Sequence, residues 1–140
     1  VKVTTKSGET YKGLVVKQSE DLDLAKVIVD RDGEHLNLTC KTPGVGDKLK
    51  FIGHPQKWGK WFVQWGKISS TPKDEGFWVI SGNAYPGNSG GPVVNSSGEL
   101  IGIINAVYAA RVGLRSSQFS NYTLMRSSEE ICNWLNSKED

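Results

Sequence analysis

Two cysteines, two histidines and one methionine in 140 residues limit the available chemistry before any motif is read. Cys40 and Cys132 lie far apart and show no metal-ligand spacing, so no cysteine-based metal site is expected. Two buried thiols are the first reading there, with a disulfide as the alternative, and the redox compartment stays open. No apolar run approaches the length of a spanning helix, and no signal-peptide pattern opens at Val1. Neither charge sign dominates: the formal net charge is +2, too small to imply a nucleic-acid or membrane partner. Histidine is absent from residues 1–22 and occurs only at His35 and His54.

What is present describes a folded β protein. With 37% hydrophobic and 23% charged residues, the chain can bury a core and does not have a disordered composition. Alternating apolar and polar residues predict strands near 1–5, 11–17, 24–29, 36–38, 48–51, 61–68, 77–81, 91–94, 100–107 and 122–126. Pro43, Gly44 and Gly46 mark 41–47 as the main connector. Only the C-terminal end reads as helical. Ser127 and Glu130 match a capping box, and Ile131, Trp134 and Leu135 recur at helical spacing. Many short strands at this spacing imply a sandwich or a barrel. Asn-x-Ser/Thr triplets at Asn37, Asn95 and Asn121 are common by chance and carry little weight.

The chemistry concentrates in Gly87-Asn88-Ser89-Gly90-Gly91-Pro92. Flanking glycines expose a serine hydroxyl and free the backbone for strained dihedrals. They also let amide N–H groups converge on one point, as an oxyanion hole requires. The nucleophile elbow of α/β-hydrolases has a similar string but needs a strand–turn–helix context. Here Pro92-Val93-Val94 continues as a strand, which excludes it.

The stretch from Pro86 to Asn95, followed by Gly98-Glu99-Leu100-Ile101-Gly102-Ile103, resembles the nucleophile region of the chymotrypsin-like (trypsin-fold) serine proteases. The bacterial HtrA/DegP-type and V8-like branch is the nearest match. Gly46-Asp47 with Phe51-Ile52-Gly53-His54-Pro55 is similar to the strand that opens their second barrel. Asp23-Leu24-Ala25-Lys26-Val27 resembles the segment that holds their catalytic aspartate. The resemblance implies an all-β fold of two antiparallel β-barrels of the chymotrypsin type, the first incomplete, with a C-terminal α-helix. Residues 1–42 would form the partial first barrel, 43–126 the second, and 127–140 the helix and tail.

The resemblance also implies roles. Ser89 would attack the scissile carbonyl while the amides of Gly87 and Ser89 hold the oxyanion, and Asp23 would orient a histidine. Asp21 is a nearby competitor. An extended substrate would pair with Ile104-Asn105-Ala106. Asn83 and Ala84 would lie near the base of a neutral specificity pocket. The partner implied is a polypeptide substrate, with no metal, no cofactor, no nucleic acid and no membrane.

One departure stands against this match. The family order is His, Asp, Ser, and here both histidines follow Asp23. They read as loop residues, hydrogen-bonded locally or solvated. Without a base the serine stays protonated, so this chain alone is expected to be inactive. Either the histidine lies upstream of Val1, which is the favoured expectation, or the chain is a pseudoprotease that binds peptides or serves a structural role. A third class draws on Lys57, Trp58, Lys60, Trp61, Trp65 and Lys67, which interleave charge and aromatic rings as single-strand nucleic-acid binders do. Trp61, Val63 and Trp65 share one strand face, however, which suits a barrel wall better.

Overall fold

The computed structural model describes residues 1–41, 43–55, 58–71, 76–82, 85–105 and 122–138. Among them, nine strands and one helix fall into two units, Val1–His35 with the segment from Ser137, and Leu36–Asn136.

The first unit is a three-stranded antiparallel meander of β1 (Lys2–Thr4), β2 (Thr10–Ser19) and β3 (Leu24–Val29). Val3 pairs with Tyr11 and Leu14 with Ile28, and a bulge interrupts β2 between Val15 and Lys17. The β1–β2 turn is tied by side chains. The Tyr11 hydroxyl, then Ser7, then the Arg31 charge hold the Glu9 carboxyl below its ordinary range. Leu14, Val16 and Ile28 are exposed within this unit.

The second unit is a closed barrel. Its strands are β4 (Lys48–Gly53), β5 (Phe62–Ser70), β6 (Trp78–Ser81), β7 (Pro92–Asn95), β8 (Leu100–Ile104) and β9 (Tyr122–Ser127), in the order β4-β5-β6-β9-β8-β7. Pairing of β4 with β7, Phe51 opposite Val93, closes the ring and leaves no open edge. Alternation along the strands sends Leu49, Phe51, Ile68, Ile80, Val93, Ile104 and Met125 inward as the core. The strand expected at 36–38 is not formed. Leu38 makes one isolated parallel bridge to Leu100, and pairing stops there because β9 takes up that edge of β8 from Gly102 onward.

Helix α1 (Ser128–Asn136) follows β9 without a loop. Its cap is half of the expected box. The Glu130 N–H donates to Ser127 Oγ at 3.4 Å, but the Glu130 carboxylate pairs with Arg126 Nη1 at 2.8 Å instead of turning back to the cap. Ser128, Ile131, Cys132 and Trp134 are the buried positions, whereas Leu135 is exposed. The two-thiol reading is overturned as well. Cys40 and Cys132 form a disulfide across 92 residues, their Cα atoms 5.9 Å apart. Sequence distance hid this pairing. The Leu38–Leu100 bridge brings the chain before Cys40 onto β8, against which α1 also packs.

Candidate active site

Ser89 lies in the connection between β6 and β7, and its neighbours determine how it is displayed. Asn88 is 1% exposed, while Ser89 itself is exposed, so the loop is anchored by one residue and presents the next. Asn88 Nδ2 donates to Gln64 Oε1 of β5 at 3.2 Å, and the Asn88 N–H donates to the Tyr85 carbonyl at 3.1 Å. Gly87 adopts φ +101°, which L side chains rarely occupy. A Cβ on Gly87 would also collide with the His54 carbonyl oxygen. A Cβ on Gly53, at the end of β4, would strike Asn88 Oδ1. The glycines therefore serve close approach as well as backbone freedom.

Four hydrogen bonds fix this loop to the barrel and to itself. His54 N–H donates to the Gly87 carbonyl at 3.2 Å, and Gly91 N–H to the Asn88 carbonyl at 3.0 Å. Gly90 N–H donates to the Ile104 carbonyl at 2.9 Å, and Ile104 N–H to the Gly91 carbonyl at 3.0 Å. Ile104, expected to pair with substrate, has both backbone groups engaged by the serine loop and its side chain in the core. Its contribution is to hold the loop against the end of β8. Asn105 is buried, and its N–H donates to the Leu124 carbonyl at 2.9 Å. Asn83, Ala84 and Ala106 lie outside the described residues.

Asp23 belongs to the first unit. It ends the turn between β2 and β3, directly before Leu24, with φ 56° and its N–H donating to the Glu20 carbonyl at 3.2 Å. It is exposed there, as is Asp21 in the same turn. Aspartate is among the few non-glycine residues that tolerate this left-handed backbone.

His54 sits beside the serine loop, yet its local bonding opposes a role as base. Its Nδ1 accepts the Trp61 N–H at 3.0 Å, so in the neutral ring Nε2 carries the proton. Trp61 packs edge-on against the imidazole with centroids 4.6 Å apart, and holds φ 60°, a strained value for a bulky residue. Trp58, named in the sequence only as part of a basic and aromatic run, belongs to an aromatic group here. Trp58 stacks on Phe62 at 6.2 Å and meets Tyr85 edge-on at 6.3 Å. Tyr85, two residues before Gly87, was the available signal.

Comparison with known proteins bears on the family and the fold. A family profile described as a trypsin-like peptidase domain matches residues 1–103. The serine endoprotease DegS of Salmonella typhimurium is 32% identical over 111 residues, covering 72% of this chain and 31% of the relative. HhoA of Synechocystis sp. is 34% identical over 128 residues, covering 81% of this chain and 32% of the relative. A crystal structure of the serine endoprotease from Yersinia pestis superposes with a TM-score of 0.76 at 26% identity, covering 94% of this chain and 46% of that one. The chain thus spans about a third of the length of those two relatives. Profile, relatives and fold agree, and the chain belongs to the trypsin-like peptidase domain family.

Proposed function

We propose that this chain is the nucleophile-bearing part of a serine endopeptidase that cleaves polypeptides through an acyl-enzyme at Ser89. The observation that carries the reading is the serine loop: exposed Ser89 beside buried Asn88, with Gly87 at φ +101° and the loop clamped at both ends to β4 and β8. Ser89 Oγ attacks the substrate carbonyl, and the developing oxyanion is received by the amides of Gly87 and Ser89. Each such donor is worth on the order of 3 kcal/mol in the transition state. Asp23 orients the base and stabilises its protonated form. Extended substrate runs past Asn105, at the end of β8.

The base is not His54, whose accepting nitrogen is taken by Trp61, nor His35, which follows Asp23 in the chain. With neither histidine of these 140 residues serving as base, the chain by itself is inactive by on the order of a millionfold, the cost of losing a triad's base.

The test compares labelling by a fluorophosphonate and hydrolysis of casein for the natural polypeptide carrying this sequence and for the 140-residue chain. Labelling at Ser89 in the natural polypeptide, abolished by Ser89→Ala and unchanged in His54→Asn, is the expected result. Full activity in Ser89→Ala would overturn the assignment. A natural polypeptide that binds peptides but never labels would make it a pseudoprotease.

A further inference from the structure

The tryptophan expected in the barrel wall is instead on its outside. Trp65 is 74% exposed on the outer face of β5, and its neighbours on that face are lysines. The β4–β5 register sets Lys50 opposite Trp65 and Lys48 opposite Lys67, a two-by-two array with all four side chains exposed. Beside it Asn95, at the end of β7, and Ser96 and Ser97 of the following turn border, with Lys48, Lys50 and Trp65, a recess of about 570 Å³, and Lys67 lies next to it on the same face.

Directly opposed like charges destabilise a sheet pair. Among the described residues, none of the three lysines forms an ion pair. The nearby Glu99 carboxylate is held by Asn95 Nδ2 at 3.1 Å, within the turn. Among the described residues the array is therefore unneutralised, a positive site with an apolar plate in it.

We infer that this recess is an exosite for an acidic, extended polypeptide segment, separate from the serine loop. Side chains two residues apart in an extended peptide repeat every roughly 7 Å, the same repeat that separates Lys48 from Lys50. Carboxylates at two alternate positions would meet Lys48 and Lys50, and an aromatic side chain on the same face of the peptide would cover Trp65. Recognition is by side chains, because β4 is paired on both edges, with β5 and β7, and offers no edge for strand addition. A single indole does not make the run of stacking platforms that tracks single-stranded nucleic acid. A recess also fits a chain better than it fits a lipid surface. That the bound segment belongs to a protease substrate rests on the proposed function, but the binding does not.

The experiment uses the Ser89→Ala chain and a fluorescent twelve-residue peptide alternating Glu with Leu, with one central Glu replaced by Phe, followed by anisotropy. Binding should weaken steeply with added salt and fall at least tenfold in the combined Lys48→Gln, Lys50→Gln, Lys67→Gln variant and in Trp65→Ala. A Lys48→Arg, Lys50→Arg, Lys67→Arg variant should retain it, and thermal unfolding of each variant controls for folding. Absence of binding, or unchanged binding in the glutamine variant, overturns the inference. So does tighter lysine-dependent binding of a thymidine oligonucleotide or of phosphatidylserine vesicles. Because turnover plays no part in the assay, failure here leaves the role of Ser89 untouched, and failure of that role leaves the exosite standing.

Discussion

The N–H of His54 donates to the carbonyl of Gly87 at 3.2 Å, and the His54 carbonyl lies where a side chain on Gly87 would have to be. One residue at the end of β4 thereby both holds the serine loop and forbids a Cβ at its turning point. Gly87→Ala combines this collision with a φ of +101° that alanine resists. Local backbone strain of this kind costs about 1–3 kcal/mol. The chain should still fold, since the barrel core lies elsewhere. Fluorophosphonate labelling of Ser89 in the natural polypeptide should fall at least tenfold, with unfolding by urea reporting the smaller stability loss.

Asn88 is the loop's buried anchor. Asn88→Leu keeps the volume but removes the Nδ2 donor and leaves Gln64 Oε1 without it in a half-buried position. A lost hydrogen bond with one polar partner left behind costs about 1–3 kcal/mol. Gln64→Leu in the same protein should restore part of that loss, since both partners are then apolar. A double-mutant cycle in urea measures the coupling, and strictly additive losses would show that the pair does not communicate.

The serine loop was legible in the sequence because six consecutive residues serve one backbone geometry, and the alternation of Leu49 and Phe51 with lysines placed β4. Other features were not. The Leu36-to-Leu38 segment has strand-like composition but meets β8 only at Leu100, since β9 occupies that edge from Gly102 onward, a tertiary fact that no local pattern records. Trp65 has the composition of a wall residue, and only the register against Lys50 shows that its face is the outer one. The Glu130 carboxylate fits a capping box until Arg126 is seen to be 4% exposed and in need of a counter-charge.

That Arg126 carries the next prediction. Its guanidinium lies over the Phe77 ring, 4.0 Å from the centroid, and pairs with Glu130 at 2.8 Å. Glu130→Ala removes the carboxylate that pairs with this buried cation among the described residues and leaves the Phe77 ring contact in place. Hydrogen bonds to charged groups are worth about 1.5–3 kcal/mol, and Glu130 is only partly buried, so a loss near the lower end is expected. Thermal unfolding at low and high salt checks it. A loss that disappears in Glu130→Gln would show that the hydrogen bond matters more than the charge.

The Cys40–Cys132 disulfide binds α1 to the segment that bridges Leu100, at the start of the strand whose other end, Ile104, clamps the serine loop. Crosslinking across 92 residues removes much of the freedom of the unfolded chain. Disulfides of this kind contribute about 2–4 kcal/mol, and they persist in oxidising compartments. The double variant Cys40→Ser, Cys132→Ser should therefore lose stability by that amount in urea, and a reducing agent should lower the unfolding temperature of the parent but not of the variant. The site should feel the loss less than the fold does, because Ile104 remains held by Gly90, Gly91 and the barrel core. Labelling of Ser89 in the natural polypeptide, measured well below the variant's unfolding temperature, should stay within about twofold, whereas collapse of labelling in a still-folded variant would mean that α1 positions the serine loop directly.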